Sequence, residues 1–177
     1  MSWSEMDPSR RMLLVAGVAL FAAGCGFRLQ GAAAGLPAGV TSVYVSAPEQ
    51  LSPFFIELER GLRSAGAVSA PSAGEADAVI RVLHDRTGRR VLSVSARNTP
   101  QEYEVFYNVE YAIDRAGQPA VPAQRLELTR NFSFDETLLL AKNHEETILR
   151  DAMARDLADL VLRRLGSLPP AQTDPSR

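Results

Sequence analysis

Tyr103 to Ile113 (YEVFYNVEYAI) is the stretch on which the fold turns. Tyr103, Val105, Tyr107, Val109, Tyr111 and Ile113 fall on one side of a two-residue period, with Glu104, Asn108 and Glu110 on the other. Strict alternation of this kind is the mark of a strand with one face in a core and one in water. Working outward, Asp114 to Pro119 reads as a turn. Beyond it Leu126, Leu128, Phe132 and Phe134 alternate with Arg125, Glu127, Thr129, Asn131 and Ser133. The two runs should pair antiparallel with their polar sides outward. On the N-terminal side, Ala78 to Leu83 (AVIRVL) and Arg90 to Ala96 also read as strand. Asp85-Arg86-Thr87-Gly88 lies between them, either as a hairpin turn or as a bulge in one long strand, since glycine serves both. Further back, Val40 to Val45 is a short β-branched strand.

Two helices complete the pattern. In the first, Ser52 is the expected N-cap and Pro53 the first helical residue. Phe54, Phe55, Leu58, Leu62 and Ala65 form its apolar stripe, and Gly66 is its stop. In the second, Asn143 is the expected N-cap in a capping-box relation to Glu146, with Leu149, Met153, Leu157, Leu160 and Val161 turned to the sheet. Glu146/Arg150, Asp151/Arg155 and Asp159/Arg163 are spaced as i,i+4 ion pairs. The order β-α-β-β-β-α predicts an α+β sandwich: two helices packed on one face of a mixed, mostly antiparallel four- to five-stranded sheet.

The N-terminus has a different character. Arg10-Arg11 precede a twelve-residue uncharged run, Met12 to Ala23 (MLLVAGVALFAA), which has the anatomy of a secretory signal. It falls short of the ~20 apolar residues a transmembrane helix needs. Ala22-Ala23-Gly24 then lead into Cys25, the only cysteine of the 177 residues, in a bacterial lipobox arrangement with Ala22 where Leu is usual. A buried core thiol is the bland alternative. In an oxidising compartment a lone thiol stays reactive unless it is consumed, and attachment of diacylglycerol consumes it. Residues 1–24 therefore read as a signal peptide and 25–39, rich in Gly and Ala, as a lipidated tether. Residues 40–166 read as one α/β domain and 167–177 as a disordered tail.

Catalytic patterns are missing from the sequence. His84 and His144 have no partner at metal-ligand spacing, and neither a phosphate loop nor a Gly-x-Ser-x-Gly elbow occurs. Glu145-Glu146 and Glu102/Glu104 are carboxylate pairs, the former simply explained by a helix dipole. The formal net charge is −2, which excludes a field that would draw the chain to nucleic acid. The expectation is a non-enzymatic protein without metal or cofactor beyond the acyl chains on Cys25. Arg97, in the turn Arg97 to Gln101, and Lys142, in a loop Leu139 to Asn143 before the last helix, are two basic residues at predicted loop tips. They are either ordinary solvated charges or, if those loops share one end of the sheet, a phosphate site with the helix start.

Cys25-Gly26-Phe27-Arg28-Leu29, Arg97-Asn98 followed by Glu102-Tyr103, Phe132-Ser133-Phe134, and Leu140-Ala141-Lys142-Asn143 occur in this order. The set resembles the lipopolysaccharide-assembly lipoprotein family LptE over nearly the whole mature chain. The resemblance implies an outer-membrane lipoprotein that plugs the LptD β-barrel, supports its assembly and binds lipopolysaccharide, with Arg97 and Lys142 engaging the lipid. Gly26 after the acylated cysteine, where Asp is absent, resembles an outer-membrane sorting signal. A periplasm-facing lipoprotein binding another envelope partner or ligand is the alternative.

Overall fold

The computed structural model describes residues 35–134 and 139–169, so the leader, Cys25 and the end of the tail lie outside the described residues. Its five strands are β1 (Ser42–Ser46), β2 (Val68–Ser69), β3 (Ala78–Val94), β4 (Pro100–Arg115) and β5 (Gln118–Ser133). Its two helices are α1 (Pro53–Ser64) and α2 (Leu139–Gly166). The sheet order is β2-β1-β3-β4-β5. β1 runs parallel to β2 and β3, while β3, β4 and β5 form an antiparallel meander. The short β2 was absent from the sequence reading, because two exposed residues carry no alternation.

The decisive stretch behaves as its period requires. Val105, Tyr107, Val109, Tyr111 and Ile113 are buried, and Tyr103 is half-buried against them. Tyr103 stands opposite Phe132, Tyr107 opposite Leu128 and Val109 opposite Leu126. β4 and β5 are joined by Ala116-Gly117, both with positive φ (48° and 75°), the two-residue turn whose twist matches that of paired strands.

Asp85 to Gly88 is neither turn nor bulge. It lies inside the single strand β3, in unbroken register from His84↔Glu110 to Val91↔Tyr103, and the irregularities fall to either side, at Leu83, at Leu92 and between Ser93 and Val94. Gly88 has another use. It faces Phe106, and a Cβ there would lie 2.7 Å from the ring's Cζ, so the missing side chain lets the ring lie across the strand.

α1 is capped as expected. Ser52 Oγ accepts from Phe55 N (3.1 Å), while Gly66, at φ +85°, donates to Arg63 O and Ala67 donates to Leu62 O. That pair of bonds closes the helix in a Schellman arrangement. α2 corrects three expectations. It begins at Leu139, so Asn143 is an interior residue whose carbonyl accepts from Thr147 Oγ1, and Lys142 is helical where a loop was expected. Leu160 is 37% exposed instead of facing the sheet; Met153, Ala154, Leu157, Ala158, Val161, Leu162 and Leu165 fill the core. Alanines widen the buried stripe because α2 lies against both α1 and the sheet.

β1 pairs with β3 only as far as Ser46↔Arg81, so beyond that point the sheet is the three-stranded ribbon β3-β4-β5. Both helices cover one face. On the other face registered rows are polar, Arg86–Asn108–Glu127 and Arg90–Glu104–Asn131 among them.

Candidate functional site

The far end of the ribbon gathers the residues singled out in the sequence. The β3–β4 connection is held by Ser95. Its N–H donates to Thr99 O (2.8 Å), its carbonyl accepts from Asn98 N (2.9 Å), and its hydroxyl accepts from the N–H groups of Arg97 and Thr99 (both 3.2 Å). Asn98 takes φ 61°, a conformation that Asn tolerates better than most residues. The loop is thus tied by its own polar groups while the Arg97 side chain is exposed, without an ion pair among the described residues.

Lys142 reaches the same end from α2. Its Nζ donates to Ser133 Oγ at the end of β5 (3.4 Å) and pairs with Glu145 Oε2 (2.9 Å), with 16% of the side chain exposed. Ser133 stands opposite Glu102, and Glu102 accepts from Ser93 Oγ (2.8 Å) two residues before the Arg97 loop. Arg97, Lys142 and the first turn of α2 therefore share one end of the sheet. The two cations differ in readiness, because among the described residues Lys142 already has a carboxylate neighbour and Arg97 has none.

One residue that seats α2 here departs from its expected place. Glu146 is only 5% exposed and is held between Arg89 Nη1 of β3 (2.6 Å) and Arg150 one turn on. Arg89 also lies over the Tyr103 ring (4.9 Å), which packs against Phe132 and Phe134. A buried carboxylate that lost these cations would be strongly disfavoured, so the cluster fixes the rotation and register of the turn that carries Lys142. i,i+4 spacing revealed Arg150 as a partner but not Arg89, which comes from a different element.

Exposed apolar side chains border the same end. Val91, Leu92 and Val94 of β3 are about half exposed and Leu140 of α2 is 86% exposed. Sequence reading missed this grouping, because apolar residues in a strand pattern are read as core until the extent of the helical cover is known. Among the described residues no cluster of His, Cys, Asp or Glu suits a metal ion. His84 lies on β3 and His144 is exposed on α2. Tyr107, whose phenol is pushed far up by burial and then by the Asp85 charge, accepts from Phe54 N (3.2 Å) as a structural tie. What this end offers is binding chemistry: two cations, a helix start and apolar edges that suit an anionic amphiphile.

Solved structures share the architecture. Lipoprotein B from Nitrosomonas europaea is 30% identical, with a TM-score of 0.67 over 80% of this chain and 90% of that one. The rare lipoprotein B from Shewanella oneidensis is 25% identical, with a TM-score of 0.62 over 71% of this chain and 94% of that one. A minor lipoprotein from Acinetobacter baumannii, at 21% identity and a TM-score of 0.61 over 77% and 99%, shares the fold. Among curated proteins none matches the chain. The LptE family, described as lipopolysaccharide-assembly, matches residues 40–165. With the family pattern spanning β1 to the end of α2 and lipoproteins as structural relatives, this chain belongs to the LptE family of lipopolysaccharide-assembly proteins.

Proposed function

We propose that this protein is an outer-membrane lipoprotein, cleaved and acylated at Cys25, that plugs and helps assemble the LptD barrel. In this reading it binds lipopolysaccharide through Arg97 and Lys142. Family membership over residues 40–165 carries the reading. Its role is binding, with no catalytic step. Phosphates of the lipid would take charge-assisted hydrogen bonds from the two cations, and the acyl chains would meet Val91, Leu92, Val94 and Leu140. The polar face of the sheet suits the polar lumen of a large barrel.

The geometry of attachment agrees with this division of labour. Residue 35, where the described chain starts, is near Ala38, whose carbonyl accepts from Arg115 at the β4–β5 end. Arg97 lies at the other end of strands 16 and 17 residues long, roughly 50 Å away at about 3.3 Å per residue. A tether from the membrane would hold one end and leave the other to the ligand. Among the described residues no helix is long and apolar enough to cross a membrane. Several acyl chains on one cysteine would supply firm anchoring, since each buried CH₂ contributes about 0.8 kcal/mol.

Arg97→Glu and Lys142→Glu should each weaken lipopolysaccharide binding about tenfold, the size expected for losing a charged hydrogen bond, with melting temperatures close to the parent. Unchanged binding in both variants removes the site assignment. Full-length protein carrying a C-terminal tag should bring down the barrel in equal amount from membranes. Extraction alone, or with a different envelope partner, rejects the plug.

A further inference from the structure

We propose that the helix-free face of the sheet carries a second binding groove, formed by His84, Arg86, Arg90, Phe106, Asn108 and Glu127, that takes an anionic saccharide. The proposal extends the lipopolysaccharide reading to the sugar portion of the ligand and rests on that reading only for which saccharide is presented.

The groove is an open depression of about 310 Å³ over the middle of the three-stranded ribbon. That is at the small end of ligand sites, which run from roughly 300 to 1,000 Å³, and five of its six lining residues are polar. Such a lining rejects an acyl chain. Its floor comes from the Gly88–Phe106 pair, in which the ring lies across the strand where glycine leaves room. An aromatic surface set flat among polar side chains meets the C–H face of a sugar ring, while its hydroxyls reach the surrounding groups.

One buried amide oxygen and two exposed charges outside the described ion pairs show which polar partners fit. Asn108 Oδ1 is shut from solvent without a donor among the described residues, and buried polar atoms in that state are rare. A ligand hydroxyl would satisfy it once the amide turns toward the groove. Arg86 is the exception among the arginines of β3. Arg81 pairs with Asp114, Arg89 with Glu146 and Arg90 with Glu104, whereas Arg86 has no carboxylate partner among the described residues. Glu127, two strands away in the same row, is likewise outside every ion pair described. One free guanidinium, one free carboxylate, one orphaned amide oxygen and the His84 imidazole therefore surround one ring. A polyol bearing a phosphate or carboxylate matches that set, with the anion on Arg86 and hydroxyls on Asn108 and Glu127.

The test uses full-length protein in detergent and, as probe, lipopolysaccharide stripped of its acyl chains by alkali, with a neutral dextrin as control. Calorimetry should show the stripped oligosaccharide binding and the dextrin not. Arg86→Gln and Asn108→Leu should each weaken binding about tenfold, as for loss of a charged or buried hydrogen bond. Phe106→Leu, which retains apolar cover on Gly88, guards against a folding artefact and should also weaken binding while melting near the parent temperature. Intact lipopolysaccharide that binds while the oligosaccharide does not overturns the groove, as do unchanged affinities in Arg86→Gln and Asn108→Leu. Equal binding of dextrin overturns the anionic class. Oligosaccharide binding without binding of the intact lipid supports the groove and removes the reading at the Arg97 end. Loss of barrel co-purification in these variants, with no oligosaccharide bound, makes the face a protein interface and ends the proposal.

Discussion

Asp77 shows how much a single side chain can organise. Its Oδ2 accepts from the backbone N–H and the hydroxyl of both Thr41 and Ser42, at 2.8–2.9 Å. It thereby ties the entry of β1 to the start of β3. The backbone donors, followed by the hydroxyls, hold its carboxyl well below the usual carboxylate range. A depressed folded pKa means that the carboxylate contributes stability above its unfolded value, about 3.9, and that the contribution is lost as pH falls through the folded value. Asp77→Asn should therefore melt below the parent at neutral pH, with a gap that narrows progressively below roughly pH 4. A gap of constant size through the acid range, measured by circular dichroism, would show that the charge is not what matters. Nothing in the sequence marked Asp77, because its partners lie more than thirty residues away and half of the donors are backbone N–H groups.

At the scale of elements, α1 was legible and α2 only partly so. Ser52, Pro53 and Gly66 act through neighbours a few residues along the chain, so the limits of α1 follow from local chemistry. The start of α2 does not. Asn143 and Glu146 have capping-box spacing, yet Arg89 takes Glu146 and leaves Asn143 inside the helix. The crossing of α1 and α2 is set by Gly61, since a Cβ there would run into Leu162 Cδ1. Gly61→Ala gains about 1 kcal/mol in helix propensity but overpacks a tight crossing, which costs about 1–3 kcal/mol. The expected outcome is a net loss of about 1 kcal/mol in denaturant unfolding. Adding Leu162→Ala should cost less in that background than in the parent. Strict additivity of the two changes would mean that the side chains do not meet.

For the whole molecule, the main device is Arg115, a buried guanidinium at the β4–β5 end that donates to Ala38 O and Pro169 O. Leu36 and Leu168 pack on the core, and with the Arg115 bonds both ends of the described chain are fastened at the end opposite Arg97. Arg115→Met keeps most of the bulk and removes the donors, with an expected loss of about 2 kcal/mol, as for a hydrogen bond from a charged group. Hydrogen exchange should rise in residues 35–42 and 163–169 and stay unchanged near Arg97. Uniform loss of protection would instead make Arg115 an ordinary core residue. The two-residue period of β4 and β5, the caps of α1 and the charged leader with its one cysteine act over short spans, so sequence alone determined the sheet-and-helix class and pointed to an anchored protein. The Arg97–Lys142 end, the cation clasp on Glu146, the reach of β3 past Gly88 and the groove over Phe106 join residues far apart in the chain. Only folding decides which of those groups meet, because side-chain pairing across elements depends on register and crossing geometry that no local pattern encodes.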